Sequence, residues 1–282
     1  MSADNGINSG LLRDFEFSAQ DFERVRKLIY DRAGISLSSA KQEMVYNRLA
    51  RRLRATGHKS FRDYLAMLEQ GNGPEWEAFT NSLTTNLTSF FREYHHFPIL
   101  AELAEKRKSA GGIMLWSAAC STGEEPYSMA MTMVDLFGTF TPPVKILATD
   151  LDTNVLATAK SGIYPMEKLS KLSPEKLKKF FVRGTGAEEG AARVRDELRS
   201  IVTFRQINLQ DKTWPIRGPF DAIFCRNVMI YFDRPTQRNV LEKFAPLLRS
   251  DGLLFTGHSE NFFFAADLFH LRGNTVYEPV NR

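Results

Sequence analysis

Leu115-Trp116-Ser117-Ala118-Ala119-Cys120-Ser121-Thr122-Gly123-Glu124-Glu125-Pro126-Tyr127-Ser128 passes from a hydrophobic run through small residues into an acidic helix start. Ile113 to Trp116 predicts a buried parallel strand, Thr122-Gly123 a sharp backbone turn, and Glu124 the beginning of a helix. That order is the layout of a nucleotide-type cofactor loop, which in an open α/β sheet lies beyond the carboxyl ends of the strands. A dinucleotide turn needs three spaced glycines to bring backbone against a pyrophosphate, whereas here only Gly123 stands in the turn and two acids follow it. Glu124 and Glu125 would repel a pyrophosphate. They suit a ligand with an ammonium or a sulfonium group, and S-adenosylmethionine has both.

Val144 to Ala148 predicts a second strand ending in Thr149-Asp150, with Asp150 standing 27 positions after Gly123. An acid about 20 residues beyond the turn, at the end of the next strand, is the usual acceptor for ribose hydroxyls. Taken singly, each acid reads equally well as a helix N-terminal residue complementing the dipole; the joint spacing favours a cofactor site. Further strands near 201–205, 220–225, 252–257 and 273–278, alternating with helical patterns, predict a doubly wound, Rossmann-like parallel sheet over 111–282. The interval from about 163 to 200 breaks the alternation and predicts an inserted subdomain. Its glycines in Arg183-Gly184-Thr185-Gly186-Ala187-Glu188-Glu189-Gly190 follow no βαβ strand, so they read as a turn or strand edge and not as a phosphate loop. The fourth strand delivers Arg226-Asn227-Val228-Met229-Ile230-Tyr231 at its carboxyl end, where a reacting group should stand. The bland alternative for Tyr231 is a packed ring with its hydroxyl satisfied.

The chain has 282 residues, a net charge of +4 and no run approaching the roughly 18 apolar residues of a membrane span. Its polar N-terminus lacks a signal-peptide core, so the expectation is a cytoplasmic protein without direct membrane insertion. Cys120 and Cys225 are the only cysteines, which argues for a reducing compartment and against a zinc site or disulfide framework; no metal site is expected. Residues 1–14 read as a disordered tail, 15–85 as an all-helical domain and 86–110 as a linker or cofactor lid.

In the helical domain, Ser18 with Asp21 opens a helix with Phe22, Val25, Leu28 and Ile29 on its apolar face, ending at Gly34. Ser39 with Gln42 is expected to open the next, in which Val45, Leu49 and Leu53 recur until Gly57. Its other faces hold Arg48, Arg51, Arg52 and Arg54, the densest basic patch of the chain. A solvated face is the better reading for any one arginine, but the cluster points to an acidic partner surface. Tyr46, Phe61 and Tyr64 fall at core-like helical spacing and not as a base-stacking platform, against nucleic acid as the partner.

Four motifs carry a family resemblance: Asn86-Leu87-Thr88-Ser89-Phe90-Phe91-Arg92-Glu93, Cys120 to Ser128, Cys225 to Phe232, and Gly257-His258-Ser259-Glu260. Together, over about Phe17 to Tyr277, the chain resembles the CheR family of chemotaxis receptor glutamate methyltransferases. The resemblance implies methyl transfer from S-adenosylmethionine to receptor glutamates, giving glutamyl methyl esters and S-adenosylhomocysteine, with a small antiparallel β-subdomain inserted in the methyltransferase sheet; nothing in the sequence calls for more than a monomer. By motif it implies cofactor contacts at Asn86, Thr88, Arg92, Glu124, Asp150, Asn208, Leu209, Asn227 and Val228, and it places Arg92 and Tyr231 beside the transferring methyl.

The chemistry suits those residues. A glutamate with a pKa near 4.3 is ionised at neutral pH, so its methylation needs no general base and no metal, only desolvation and in-line positioning. An arginine can hold one carboxylate oxygen and leave the other to attack, with a tyrosine hydroxyl as second donor. His95 and His96 are expected to point different ways on a helix and to be structural. The partners implied are the cytoplasmic domains of methyl-accepting receptors, whose acidic helices would meet the Arg48 to Arg54 face. A receptor's C-terminal tail peptide could add as a strand to the insert beside Arg183, Gly184, Gly186, Gly190, Arg193 and Arg195. Rival readings are a nicotinamide oxidoreductase, which should show more glycines at 118–123, a methyltransferase of another macromolecule, and a catalytically silent S-adenosylmethionine sensor.

Overall fold

The apolar run Ile113–Ser117 forms β1, with its side chains buried on both faces, as expected of a strand covered on two sides. A computed structural model describes residues 13–71, 73–108 and 111–280. The expected disordered tail falls outside these as far as residue 12; Arg13 and Asp14 are described and pair with Glu43 and Arg54. The chain divides into two compact units, one of residues up to Asp31 together with Leu37–Leu83, the other of Arg32–Ser36 and the residues from Thr84 onward.

The first unit is helical: α1 (Ala19–Ala33), α2 (Gln42–Thr56), α3 (Phe61–Glu69) and α4 (Glu75–Leu83). The Ser18 box is formed, the backbone N–H of Asp21 donating to Ser18 Oγ at 3.1 Å and that of Ser18 to Asp21 Oδ2 at 3.0 Å. The Ser39 box is not; a short 3-10 turn, Ser39–Lys41, precedes α2 and Lys41 occupies its cap position without a side-chain bond. Gly57 ends α2 with φ +74°, where a side chain would be strained. Val45, Leu49 and Leu53 are buried with Tyr46, Phe61 and Tyr64, so the aromatic residues are core. Phe17 and Phe61 pack with centroids 4.4 Å apart and their rings tilted by 43°.

The second unit is a seven-stranded sheet, order β6-β2-β1-β7-β8-β10-β9, of β1, β2 (Val144–Asp150), β6 (Val202–Gln206), β7 (Phe220–Cys225), β8 (Leu248–Thr256), β9 (Phe269–Gly273) and β10 (Val276–Pro279). The five strands from β6 to β8 run parallel and the last two antiparallel. The single final strand expected near 273–278 is therefore a hairpin. Its turn is made by Asn274 and Thr275, both with φ above +50°, which a reading by hydrophobic run passes over because Thr rarely takes that conformation. Helices α5 (His96–Lys106), α6 (Glu124–Phe137), α7 (Thr153–Ser161) and α11 (Arg234–Phe244) accompany the sheet. Trp116 anchors the core between Trp214, Phe220 and Phe244, with its indole N–H donated to Thr149 Oγ1 at 2.9 Å.

Between α7 and β6 stands the insert, a three-stranded antiparallel sheet, order β3-β5-β4, of β3 (Ile163–Pro165), β4 (Phe181–Arg183) and β5 (Ala191–Val194). Helices α8 (Met166–Leu169), α9 (Pro174–Phe180) and α10 (Asp196–Arg199) complete it. Gly184 opens the β4–β5 loop with no room for a Cβ, which would lie 2.2 Å from the Glu188 carbonyl oxygen.

Candidate functional site

Parallel strands β2, β1, β7 and β8 end at one edge of the sheet, and the expected site residues gather there in two hydrogen-bonded sets. The first surrounds the ends of β2 and β1. Asp150 Oδ2 accepts the Ser121 N–H at 2.8 Å and Oδ1 that of Asp152 at 3.0 Å. Ser121 Oγ donates to the Asn86 carbonyl at 3.2 Å, and the Asn86 amide donates to Asp152 Oδ2 at 2.8 Å. The Ile207 N–H reaches the Asp150 carbonyl at 3.1 Å, placing Asn208 next along. Both ends of the Asn208 side chain are committed, to the Arg32 carbonyl and the Gln210 N–H, so what it can offer a ligand here is backbone; Leu209 beside it is buried. Burial raises the Asp150 pKa to about 6, against the pull of its backbone donors.

The second set joins β7 and β8 to the segment after Asn86. Arg226 is 6% exposed and forms the hub. Its guanidinium donates to the Arg92 carbonyl and pairs with Glu93 and with Glu125, each at 3.4 Å. Glu93 Oε1 also accepts from the Asn227 amide at 3.3 Å and the His258 N–H at 3.1 Å. Burial pushes Glu93 upward, but Arg226 and these donors outweigh it and hold its pKa below the usual carboxylate range. Glu125 Oε1 accepts from Ser117 Oγ at 2.7 Å, and burial raises its pKa. Glu260 fastens the ends of β7 and β8 by accepting the N–H groups of Asn227, Val228, Met229 and Gly257; burial raises its pKa while these four donors pull it down.

Phe91, Glu93, Ser121 and Asn227 all have φ between +48° and +57°, the left-handed region, at this same edge. Each such non-glycine residue costs on the order of 1–3 kcal/mol and persists only where its surroundings over-determine it. The hydrogen-bonded carboxylates and Arg226 supply that constraint.

Arg92 projects from the strained segment with its guanidinium on the Leu87 carbonyl at 2.7 Å. Tyr231 is half-buried; its backbone N–H goes to Val228 and its carbonyl accepts the Ser36 N–H at 2.8 Å. Thr88 is half-buried. Glu124 faces elsewhere: its carboxylate accepts from Thr122 Oγ1 at 2.6 Å and pairs with Lys168 of the insert at 2.9 Å, leaving Glu125 as the acid of this pair turned toward Arg226. His96 is fully buried against the hairpin turn, within 3.0 Å of the Asn274 carbonyl and Thr275 Oγ1, while His95 is exposed; the two rings nevertheless lie with centroids 4.2 Å apart and do not point different ways as expected, because they are consecutive residues at the very start of α5. Burial and Arg226 lower the His96 pKa to about 4.

Sequence reasoning left Glu93, Arg226 and Glu260 without roles although all three lie in the quoted motifs. Asp152, two positions beyond Asp150, was also missed. The repeated Asp at the strand end was the available signal.

Residues 86–277 match the family described as CheR methyltransferase, SAM binding domain, and residues 20–84 the CheR methyltransferase all-alpha domain. The chain belongs to the CheR methyltransferase family. It is 57% identical over 257 residues to the chemotaxis protein methyltransferase of Salmonella typhimurium, covering 91% of this chain and 88% of that one. To the corresponding Escherichia coli protein it is 56% identical over 91% of this chain and 89% of that one. To chemotaxis protein methyltransferase 2 of Pseudomonas aeruginosa it is 52% identical over 95% and 96%. This CheR chain is thus an S-adenosylmethionine-dependent methyltransferase with a Rossmann-like sheet, a small helical domain and a three-stranded insert. The acidic donor set fits that cofactor, since Glu125 and Asp150 offer carboxylates to a cationic, hydroxyl-bearing ligand. Among the described residues no helix is long and apolar enough to cross a membrane, and no cluster of three or more His, Cys, Asp or Glu side chains could hold a metal ion.

Proposed function

We propose that this enzyme methylates the side-chain carboxylate of specific glutamates in the cytoplasmic helices of chemotaxis receptors. The observation that supports this most is the 52–57% identity, over nearly the whole chain, to proteins named chemotaxis protein methyltransferase. S-adenosylmethionine, when bound, supplies the methyl group and leaves as S-adenosylhomocysteine. Asn86, Thr88, Arg92, Asp150, Asn208, Leu209, Asn227 and Val228 are its proposed contacts, with Glu125 as the acid toward its ammonium group. Glu124, whose side chain is 1% exposed against 13% for Glu125 and which is turned toward Lys168 of the insert, is left out of this set.

Arg92 holds one oxygen of the incoming carboxylate and Tyr231 donates to it, so the second oxygen is free for in-line attack. The substrate is already ionised and the product ester has no proton to shed, so no acid–base pair is needed. The Arg48 to Arg54 face is the proposed contact for an acidic receptor helix, and the insert, with Arg183, Arg193 and the Gly184 to Gly190 loop, for a receptor tail peptide. The enzyme is proposed to act as a monomer in the cytoplasm at receptor arrays.

The test is transfer of radiolabelled methyl from S-adenosylmethionine to a receptor cytoplasmic fragment, with base treatment of the product and Glu→Gln changes in the fragment. Base-labile label that disappears with the glutamates is expected. Label that survives base, or survives the substitutions, would point to another acceptor.

A further inference from the structure

Two side chains of the insert reach out of it and grip the cofactor loop. Tyr164, on β3, donates its hydroxyl to the Thr122 carbonyl at 2.7 Å. Lys168, on α8, places its ammonium 2.9 Å from Glu124 Oε1 and 3.3 Å from Thr122 Oγ1. Gly123 lies against them: a Cβ there would sit 2.8 Å from the Tyr164 hydroxyl and 2.9 Å from Ala159 Cβ. The turn that carries Ser121 toward Asp150 is therefore pressed onto the insert, with no slack for Tyr164 to move independently. The Tyr164 ring also packs edge-on to Phe90 with centroids 5.1 Å apart, two residues before Arg92.

Glu124 lies at the other end of this contact. It is 1% exposed, so its charge needs a partner, and the cation it has comes from a lysine whose own side chain is 44% exposed. A long, half-solvated side chain spanning from another subdomain to a buried acid at a helix start is costly to order unless the acid must be fixed. We propose that Lys168 and Tyr164 are positioning residues that hold the Ser121–Gly123 turn in its cofactor-binding shape, and that Glu124 is their anchor and not a cofactor contact. The inference rests on the cofactor reading of this crevice and is independent of which carboxylate is methylated. It gives the insert a role in cofactor affinity that is separate from any peptide taken by its strand edge.

The experiment is calorimetric titration of the full chain with S-adenosylhomocysteine, beside the KM for S-adenosylmethionine and the kcat. Lys168→Met is expected to raise Kd about tenfold and Tyr164→Phe about threefold, the size of a lost charged and a lost neutral hydrogen bond, with Lys168→Arg close to the parent. KM for the cofactor should rise with Kd while kcat changes by less, a split that mere loss of folded protein would not produce. Because Glu124→Gln removes the buried charge, the double change Lys168→Met with Glu124→Gln should bind better than Lys168→Met alone. If Glu124 instead touches the cofactor, Glu124→Gln is the weakest single variant and the double is no better; that result overturns the proposal. So does parental affinity in both Lys168→Met and Tyr164→Phe. Failure of the parent chain itself to bind S-adenosylhomocysteine would overturn the cofactor reading along with the clamp.

Discussion

The carboxyl edge of the sheet and the basic helix α2 both concentrate charge, and they hold it in opposite ways. At the sheet edge the buried Arg226 is shared by two half-buried carboxylates and a carbonyl contributed from far along the chain. On α2 Arg51 and Arg54 face solvent, Arg54 paired with an equally exposed Asp14, while Arg48 is half-buried and donates to the Ser82 and Leu83 carbonyls. Arg52 is intermediate, bidentate on Glu75, which also accepts the Tyr64 hydroxyl. Desolvated charges must be paired to exist at all, whereas exposed ones can be changed at little cost to the fold. The first kind fixes geometry. The second is free to meet a partner.

The largest effect expected from this contrast is on stability at the edge. Arg226→Met leaves the half-buried Glu93 and Glu125 without their cation and should lower unfolding free energy by about 2–4 kcal/mol, read as a fall in urea midpoint. A loss below about 1 kcal/mol would mean that the edge is no more demanding than the helix surface, and the contrast would collapse. Arg92→Ala comes next: its side chain donates to the Leu87 carbonyl and lies outside the Arg226 ion pairs, so the urea midpoint should stay near the parent while methyl transfer falls about a hundredfold or more. Equal losses of stability and activity would make Arg92 one more strut.

Asp150 sharpens the comparison through pH. Its folded pKa of about 6 lies above the unfolded value near 3.9, so in the free protein its favourable term is present at low pH and is lost as pH rises through 6. Cofactor affinity runs the other way, because a ribose hydroxyl is best accepted by the ionised form. Affinity for S-adenosylhomocysteine should be full above pH 6 and fall below it by up to about tenfold per pH unit, and Asp150→Asn should flatten the profile at its low end. A profile unchanged in the Asn variant would move the titration to another group.

Legibility followed the same division. Strand β1, the Gly123 turn, Asp150 and the Gly57 stop could be read because each depends on residues within a few positions: a run buried on both faces, a glycine in the left-handed region, an acid at a strand end. The Ser18 box could be read for that reason too, yet the identical pattern at Ser39 failed where a 3-10 turn intervened. What the sequence hid was pairing at a distance. Arg226 meets Glu93 across 133 positions and Lys168 meets Glu124 across 44, and no local rule distinguishes Glu124 from Glu125. The start of β8 was hidden as well, because Arg249-Ser250-Asp251 is polar and exposed and breaks the apolar run by which the strand was recognised.

The smallest expected effect lies on α2, and it is the one that decides whether that helix face has a partner. Arg51 is exposed, so Arg51→Ala should leave the unfolding midpoint within about 0.5 kcal/mol of the parent and cofactor affinity unchanged. If the face meets an acidic receptor helix, KM for a receptor fragment should rise a few-fold, and the rise should fade as added salt screens the parent's own advantage. Arg52→Ala is the control within the same helix. Its guanidinium is bound to Glu75 inside the unit, so it should lower stability more than Arg51→Ala while carrying little of the salt-dependent term. Were the two variants to raise KM equally and independently of salt, the effect would come from the shape of the unit, and the exposed arginines would be only a solvated face.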